Sequence, residues 1–220
     1  MESDQIICIK KRQSYEKQCK NIEEYTIVDC TSHNSIPWVR EQLSPLWLGP
    51  TMTPDGYRVE RFENLWQYSK VYSEFADAAG DPTDIYFKWR NAGYANDGKG
   101  VRFPFGKPKR PLYSLWFIDG EYKKLGYIEA RKVIYIPEYA KLVVQTKAYQ
   151  NLKRFYDTGH KLALLDFDAY NNYLPKFNMS MVDVFNNQRK AGHGFVLKLL
   201  LEGDIEVVDG QVVDRIGVLS

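Results

Sequence analysis

Glu63, Gln67 and Lys70 carry a carboxylate, an amide and an ammonium at spacings of four and three residues. On a helix these groups share one stripe. The same geometry gathers Phe62, Leu65, Trp66, Ser69 and Tyr72 on a neighbouring face, so residues 57–72 are predicted as an amphipathic helix with an acid near its start. A carboxylate beside an aromatic face can stabilise a cationic centre or activate water. A polar stripe is equally what a solvated surface helix carries. A second acidic position, Asp168, follows the apolar run 161–167, and Asp166 shares its face if the strand continues. Cleavage of a glycosidic bond uses such carboxylates: one stabilises an oxocarbenium-like centre or activates water, and a second group assists departure.

Other chemistries lack their residues. The chain has no G-x-G-x-x-G, P-loop, G-x-S-x-G or H-E-x-x-H pattern. His33, His160 and His193 are far apart in sequence, and Cys8, Cys19 and Cys30 form no C-x-x-C pair. No metal site, cofactor or disulfide framework is implied. Thirty basic residues against 28 acidic ones argue against a protein that coats nucleic-acid backbone. Aromatic residues make up 15% of the chain, material for a core or for stacking on planar ligands. The acidic N-terminus shows no secretory signal, and no apolar run approaches the roughly 18 residues of a membrane span. The expectation is a soluble, cytoplasmic protein with no membrane partner.

The elements that must position these groups are read as follows. Residues 5–9 and 25–30 are strands around a polar helix at 12–22, a β-α-β opening. Residues 43–50, rich in Pro and Gly yet carrying Leu46, Trp47 and Leu48, form a loop that folds back and can line a pocket. Thr53 to Tyr57 is a turn. A short helix capped near Asp81-Pro82 runs to Trp89, followed by a loop at 91–100. Residues 99–111 hold five basic groups among two Phe and three Pro, an extended segment suited to a phosphate-bearing ligand. A strand at 112–118 turns at Asp119-Gly120. Helices follow at 125–136 and 138–154, with Pro137 as the break, and another at 180–202 with a discontinuity near Gly192. Gly192 and Gly194 suggest close backbone packing around His193, which reads as a hydrogen-bonded core histidine. Asp209-Gly210 joins two alternating runs into a hairpin.

Three ordered blocks carry a resemblance. Glu63 with Gln67 four on and Lys70 seven on, preceded by Leu43-Ser44-Pro45 and the turn ending in Tyr57, resembles the opening signature of the NADAR superfamily, Ser-Glu-His-x-x-Gln-x-x-Lys. Residues 164–170, with Asp166 and Asp168, resemble its second acidic block, and 192–200 its closing helix. The resemblance spans residues 43–202. Asn64 stands where the superfamily has histidine, and Pro45 where it has asparagine.

The resemblance implies an N-glycosidase acting on ADP-ribosylated guanine or a related nucleotide, free or within nucleic acid, with Glu63 and Asp168 as the catalytic acids. It further implies substrate contacts from Ser44, Trp47, Gln67, Lys70, Trp116, Lys132 and Tyr170. The loop at 44–48 and Trp116 would sandwich a base. The expected fold is α+β: a helix-rich single domain with small β elements and a C-terminal β-hairpin at 204–219, a core at 43–202, and residues 1–30 as an appendage. A non-catalytic binder of ADP-ribose, or an interaction protein whose aromatics are only core, are the competing readings. Oligomeric state is not encoded legibly.

Overall fold

A computed structural model of the chain describes residues 5–12, 15–18, 21–103, 109–169 and 191–220. They form two compact units, Met1–Ser44 with Tyr139–Ser220, and Pro45–Glu138. The class is α+β, helix-rich, with small sheets and a C-terminal hairpin. Among the described residues no helix is long and apolar enough to cross a membrane.

The first unit is built on a parallel sheet. Strands β1 (Ile6–Lys10) and β2 (Thr26–Asp29) both pair with β8 (Leu162–Asp166), in the order β1-β8-β2. Residues 1–30 are therefore no appendage, since they supply two of the three strands. The expected helix at 12–22 is replaced, where described, by 3-10 turns at Tyr15–Gln18 and Ile22–Glu24. Every residue of β8 is buried, as a central parallel strand with both faces covered requires. Ile7, Ile9, Ala163 and Leu165 pack with Tyr15, Ile22 and Tyr25 on one face. Helix α7 (His193–Glu202) is tied to the sheet by a Lys198 Nζ bond to the Ile6 carbonyl at 3.1 Å. Helices α1 (Pro37–Leu43) and α6 (Lys147–Asp157) are joined where the Ala148 N–H donates to Gln42 Oε1 at 2.8 Å. Strands β9 (Ile205–Val208) and β10 (Gln211–Asp214) form the hairpin. Its turn residues Asp209 and Gly210 both have positive φ, 50° and 73°, which explains the Asp-Gly pair.

The second unit centres on an antiparallel sheet of β5 (Lys70–Val71), β6 (Tyr113–Ile118) and β7 (Glu121–Leu125). Val71 and Leu115 pack on Tyr86 of helix α3 (Asp84–Tyr94). That helix continues five residues past the expected end at Trp89. Strands β3 (Thr51–Met52) and β4 (Arg58–Val59) make a short ribbon. Its turn is anchored by Asp55, whose Oδ2 accepts from Tyr122 Oη at 2.6 Å and from Arg90 Nη1 at 3.0 Å. The buried guanidinium of Arg90 is surrounded by the rings of Tyr57, Phe87 and Tyr94.

Helix α2 (Phe62–Tyr68) is shorter than the predicted 57–72, and Lys70 lies in β5. Pro137 does not break the chain where expected. Helix α4 (Tyr127–Ala130) runs into a π-turn at Arg131–Tyr135 and on into α5 (Ile136–Val143). The Ile136 N–H reaches back five residues to the Arg131 carbonyl. This widened turn carries the helix past a residue that has no N–H to give.

Candidate functional site

Helix α2 has no side-chain cap at its start. Its first N–H groups are satisfied by the loop before it: Phe62 donates to the Leu48 carbonyl and Glu63 to the Pro45 carbonyl, both at 2.8 Å. This is what the Pro/Gly-punctuated segment 45–49 does. Gly49 is needed there, because a Cβ would collide with the Glu60 carbonyl.

Seated this way, Glu63 is 4% exposed. Its Oε1 accepts from Gln67 Nε2 at 2.7 Å, and Gln67 Oε1 accepts from Lys70 Nζ at 2.9 Å. An ammonium only donates, so it fixes which end of the amide faces Glu63. Although Lys70 has left the helix, it completes the stripe that the spacing suggested. It also lies over the Trp66 ring, 4.5 Å from the centroid. Arg102 Nε stands 3.5 Å from the same carboxylate oxygen. No described residue donates to Glu63 Oε2. One oxygen is thus fixed and the other is left to a ligand or water.

Other expected contacts gather on this unit. Lys70 pairs with Ser114 across β5 and β6, so Lys70, Ser114 and Trp116 share one sheet face. Lys132 sits on the π-turn, where Tyr135 meets the Trp66 ring at 5.0 Å. Half-buried Trp47 belongs to the loop that seats α2. None of the protein-family models, curated proteins or solved structures compared with the chain matches it.

Two of the remaining expected residues, Ser44 and Asp168, belong to the first unit. Ser44 is buried at the end of α1, its N–H bonded to the Arg40 carbonyl at 3.0 Å. Asp168 belongs to the first unit, half-buried, and donates its N–H to Asp166 Oδ1 at 3.1 Å. Tyr170 lies outside the described residues.

Asp166, not Asp168, is the enclosed acid, 2% exposed. Its Oδ2 accepts from the Gly194 N–H at 2.9 Å and lies 3.2 Å from His193 Nδ1. His193 Nε2 meets the Cys30 carbonyl at 2.8 Å. The carboxylate and imidazole thus pin the end of β8, the residue after β2 and the start of α7. A Cβ on Gly192 would collide with Asp166 Oδ2, so the glycine permits the close approach. The core reading of His193 fits this geometry.

The first unit also holds a cavity of about 360 Å³ lined by Ile27, Trp38, Val39, Leu43, Leu152 and Phe155 among others. Its one carboxylate, Asp29, is already held by Lys11 and Thr31. The cavity offers apolar walls and no reactive group.

Sequence reasoning did not single out Arg102 within the basic segment or Asn64 as a structural group. Asn64 is fully buried, its Nδ2 donating to the Asn96 carbonyl at 3.1 Å and its Oδ1 accepting from the Val101 N–H at 2.9 Å. Helical periodicity turns Asn64 away from the apolar face of Phe62, Leu65 and Trp66, so neither its burial nor its partners were readable from spacing.

Proposed function

We propose that the protein is an N-glycosidase that hydrolyses the bond between a ribose and a base in an ADP-ribosylated base, guanine above all, or a related nucleotide in the cytoplasm. The observation that carries this is the half-tied carboxylate of Glu63: one oxygen is oriented through Gln67 and Lys70, and the other takes no bond from a described residue. In the reaction the bond from C1′ to the base nitrogen breaks and its electron pair leaves with the base. The positive charge on C1′ and the ring oxygen is stabilised by the Glu63 carboxylate. Water then adds to C1′, and the proton it gives up ends on the nitrogen of the departed base. Half-buried Trp66 offers aromatic surface for the base, whereas Trp116 is buried in the sheet, and Lys70 offers a cation for phosphate.

The test is incubation with ADP-ribosylated DNA, ADP-ribosylated RNA and small N-ribosyl nucleotides, read by mass spectrometry. Release of ADP-ribose or ribose phosphate by the wild type, and a fall of roughly 10²–10⁴-fold in Glu63→Gln, is the expected outcome. Undiminished release by Glu63→Gln sinks the reading. Binding of ADP-ribose without release of any product replaces it with a non-catalytic binder. Asp168→Asn in the same assay reports on the second acid that the resemblance implies.

A further inference from the structure

In the parallel sheet of the first unit, β2 is an outer strand with one side open. Thr26 donates its N–H to the Lys161 carbonyl at 2.8 Å, and Cys30 donates to the Leu165 carbonyl at 3.2 Å. Along a parallel ladder successive residues turn their backbone groups to opposite sides, so Ile27 and Asp29 point theirs away from β8. The Asp29 carbonyl is taken by Asn34 Nδ2 at 2.5 Å. The Ile27 N–H, the Ile27 carbonyl and the Asp29 N–H take no partner among the described residues. Sheet edges are ordinarily blunted by charge or proline. Strand β7, an outer strand of the other sheet, is blunted in this way by Glu121, Lys123 and Lys124. Strand β2 reads Thr-Ile-Val-Asp, with Ile27 exposed.

The cavity of about 360 Å³ runs beside this strand, with α1 and α6 supplying its other walls. Asn34 fixes the start of α1 against β2, since its Oδ1 accepts from the Ile36 N–H at 2.7 Å while its Nδ2 grips Asp29. Four of the large apolar residues that line the cavity, Ile27, Ile36, Trp38 and Phe155, are 37–49% exposed. Contiguous apolar surface left in water marks an interaction site. An apolar small molecule would cover these walls, but it would strip water from three backbone groups and return no hydrogen bond. A second copy across a two-fold axis would meet this concave surface with the same concave surface. An extended peptide satisfies both features, with its own backbone for Ile27 and Asp29 and its side chains for the groove. The volume is at the small end of ligand pockets, which run from about 300 to 1,000 Å³. That is room for one or two large side chains, and alternate residues of a strand fall on one side.

We propose that the open side of β2 and the groove beside it form a docking site for an extended segment of a partner protein. The segment adds to the sheet as a further strand and places two large apolar side chains, two residues apart, in the groove. Backbone bonds to Ile27 and Asp29 supply affinity, and the walls around Trp38 and Phe155 select the side chains. Every residue involved belongs to the first unit, and the proposal is independent of the N-glycosidase reading.

Panning a displayed library of random decapeptides on the full chain tests it. The enriched sequences are expected to share two large apolar residues at i and i+2, and a synthetic copy of one of them serves as the probe for titration. Ile27→Pro removes an outward N–H and spares the bonds to β8, which Thr26, Val28 and Cys30 make. Proline is tolerated at an edge position whose N–H faces water, so this variant is expected to fold and to weaken the probe by about 10-fold or more. Trp38→Ala and Phe155→Ala, both at exposed positions, are expected to weaken it by a similar factor. N-methylation of the probe at alternate amides should do the same while leaving the protein untouched. Bound probe should also slow hydrogen exchange at the Ile27 and Asp29 amides. No enrichment of such sequences overturns the proposal. So does a probe whose affinity is unmoved by the two aromatic truncations and by N-methylation. A concentration-dependent dimer of the wild type that Ile27→Pro or Trp38→Ala dissolves also overturns it, and assigns the groove to a second copy.

Discussion

Glu63 in one unit and Asp166 in the other are almost equally enclosed, at 4% and 2% exposure, yet their oxygens keep different company. Both oxygens of Asp166 are engaged: Oδ1 by the Asp168 N–H, Oδ2 by the Gly194 N–H and the His193 ring. Every partner belongs to an element whose end must be held in place. Glu63 has one oxygen engaged, by the buried Gln67 amide and a half-exposed guanidinium. Burial alone does not separate a carboxylate that holds a fold from one that can act on a ligand. The separation lies in how many lone pairs are already used, and by what.

The largest effect expected from this contrast is on stability. Asp166→Ala strands the His193 ring and two backbone N–H groups in the interior, and is expected to cost about 3–5 kcal/mol. Glu63→Gln leaves an isosteric acceptor facing Gln67 and Arg102, and is expected to change stability by less than about 1 kcal/mol while removing activity. Urea titration of both variants measures the difference. Equal losses would erase the distinction between the two acids.

A pair of glycines sharpens it. Gly192→Ala drives a methyl group into the Asp166 carboxylate, and about 3 kcal/mol of destabilisation is expected. Gly100→Ala meets Glu63 Cβ at 2.8 Å, a milder overlap than the one at Gly192, so its expected cost is nearer 1 kcal/mol. Its larger consequence should be a displaced Glu63 side chain and lower activity. Thermal melts beside the release assay check whether the two glycines divide stability from activity in this way.

How much of this was legible depends on how local each feature is. The Glu63–Gln67 bond follows from helical spacing, and the hairpin turns at Asp119-Gly120 and Asp209-Gly210 follow from residues that accept positive φ. The start of α2 was misplaced by five residues because carbonyls of Pro45 and Leu48 set it, through contacts that no periodicity records. Residues 1–30 looked like a separate unit because parallel pairing to β8 joins strands more than 130 positions apart. Asp166 was passed over for Asp168 because a face assignment does not say which of two acids a distant helix start will bond. Composition marked 99–111 as a basic loop but carried no information about which cation would reach which acid.

A third acid applies the same rule inside the second unit. Asp55 takes both bonds on one oxygen, Oδ2, but from Tyr122 and the buried Arg90, groups that hold the body of the unit together. Burial by itself would raise its carboxyl, but hydrogen bonds from Thr53 and Tyr122 and the charge of Arg90 outweigh it and hold the group below its ordinary value. A carboxyl depressed in the folded state contributes stability that is complete above its unfolded value, near pH 4, and that is lost as pH falls through the folded value. Asp55→Asn keeps an acceptor for Tyr122 and loses the charge opposite Arg90, so it is expected to cost about 1 kcal/mol at neutral pH. That difference from wild type should shrink below about pH 4, where the wild-type carboxyl takes up its proton. Denaturation midpoints of both proteins from pH 7 down to pH 3 measure it. A difference that stays constant across this range would mean that the charge of Asp55 holds nothing, and that counting engaged lone pairs does not identify the structural acids.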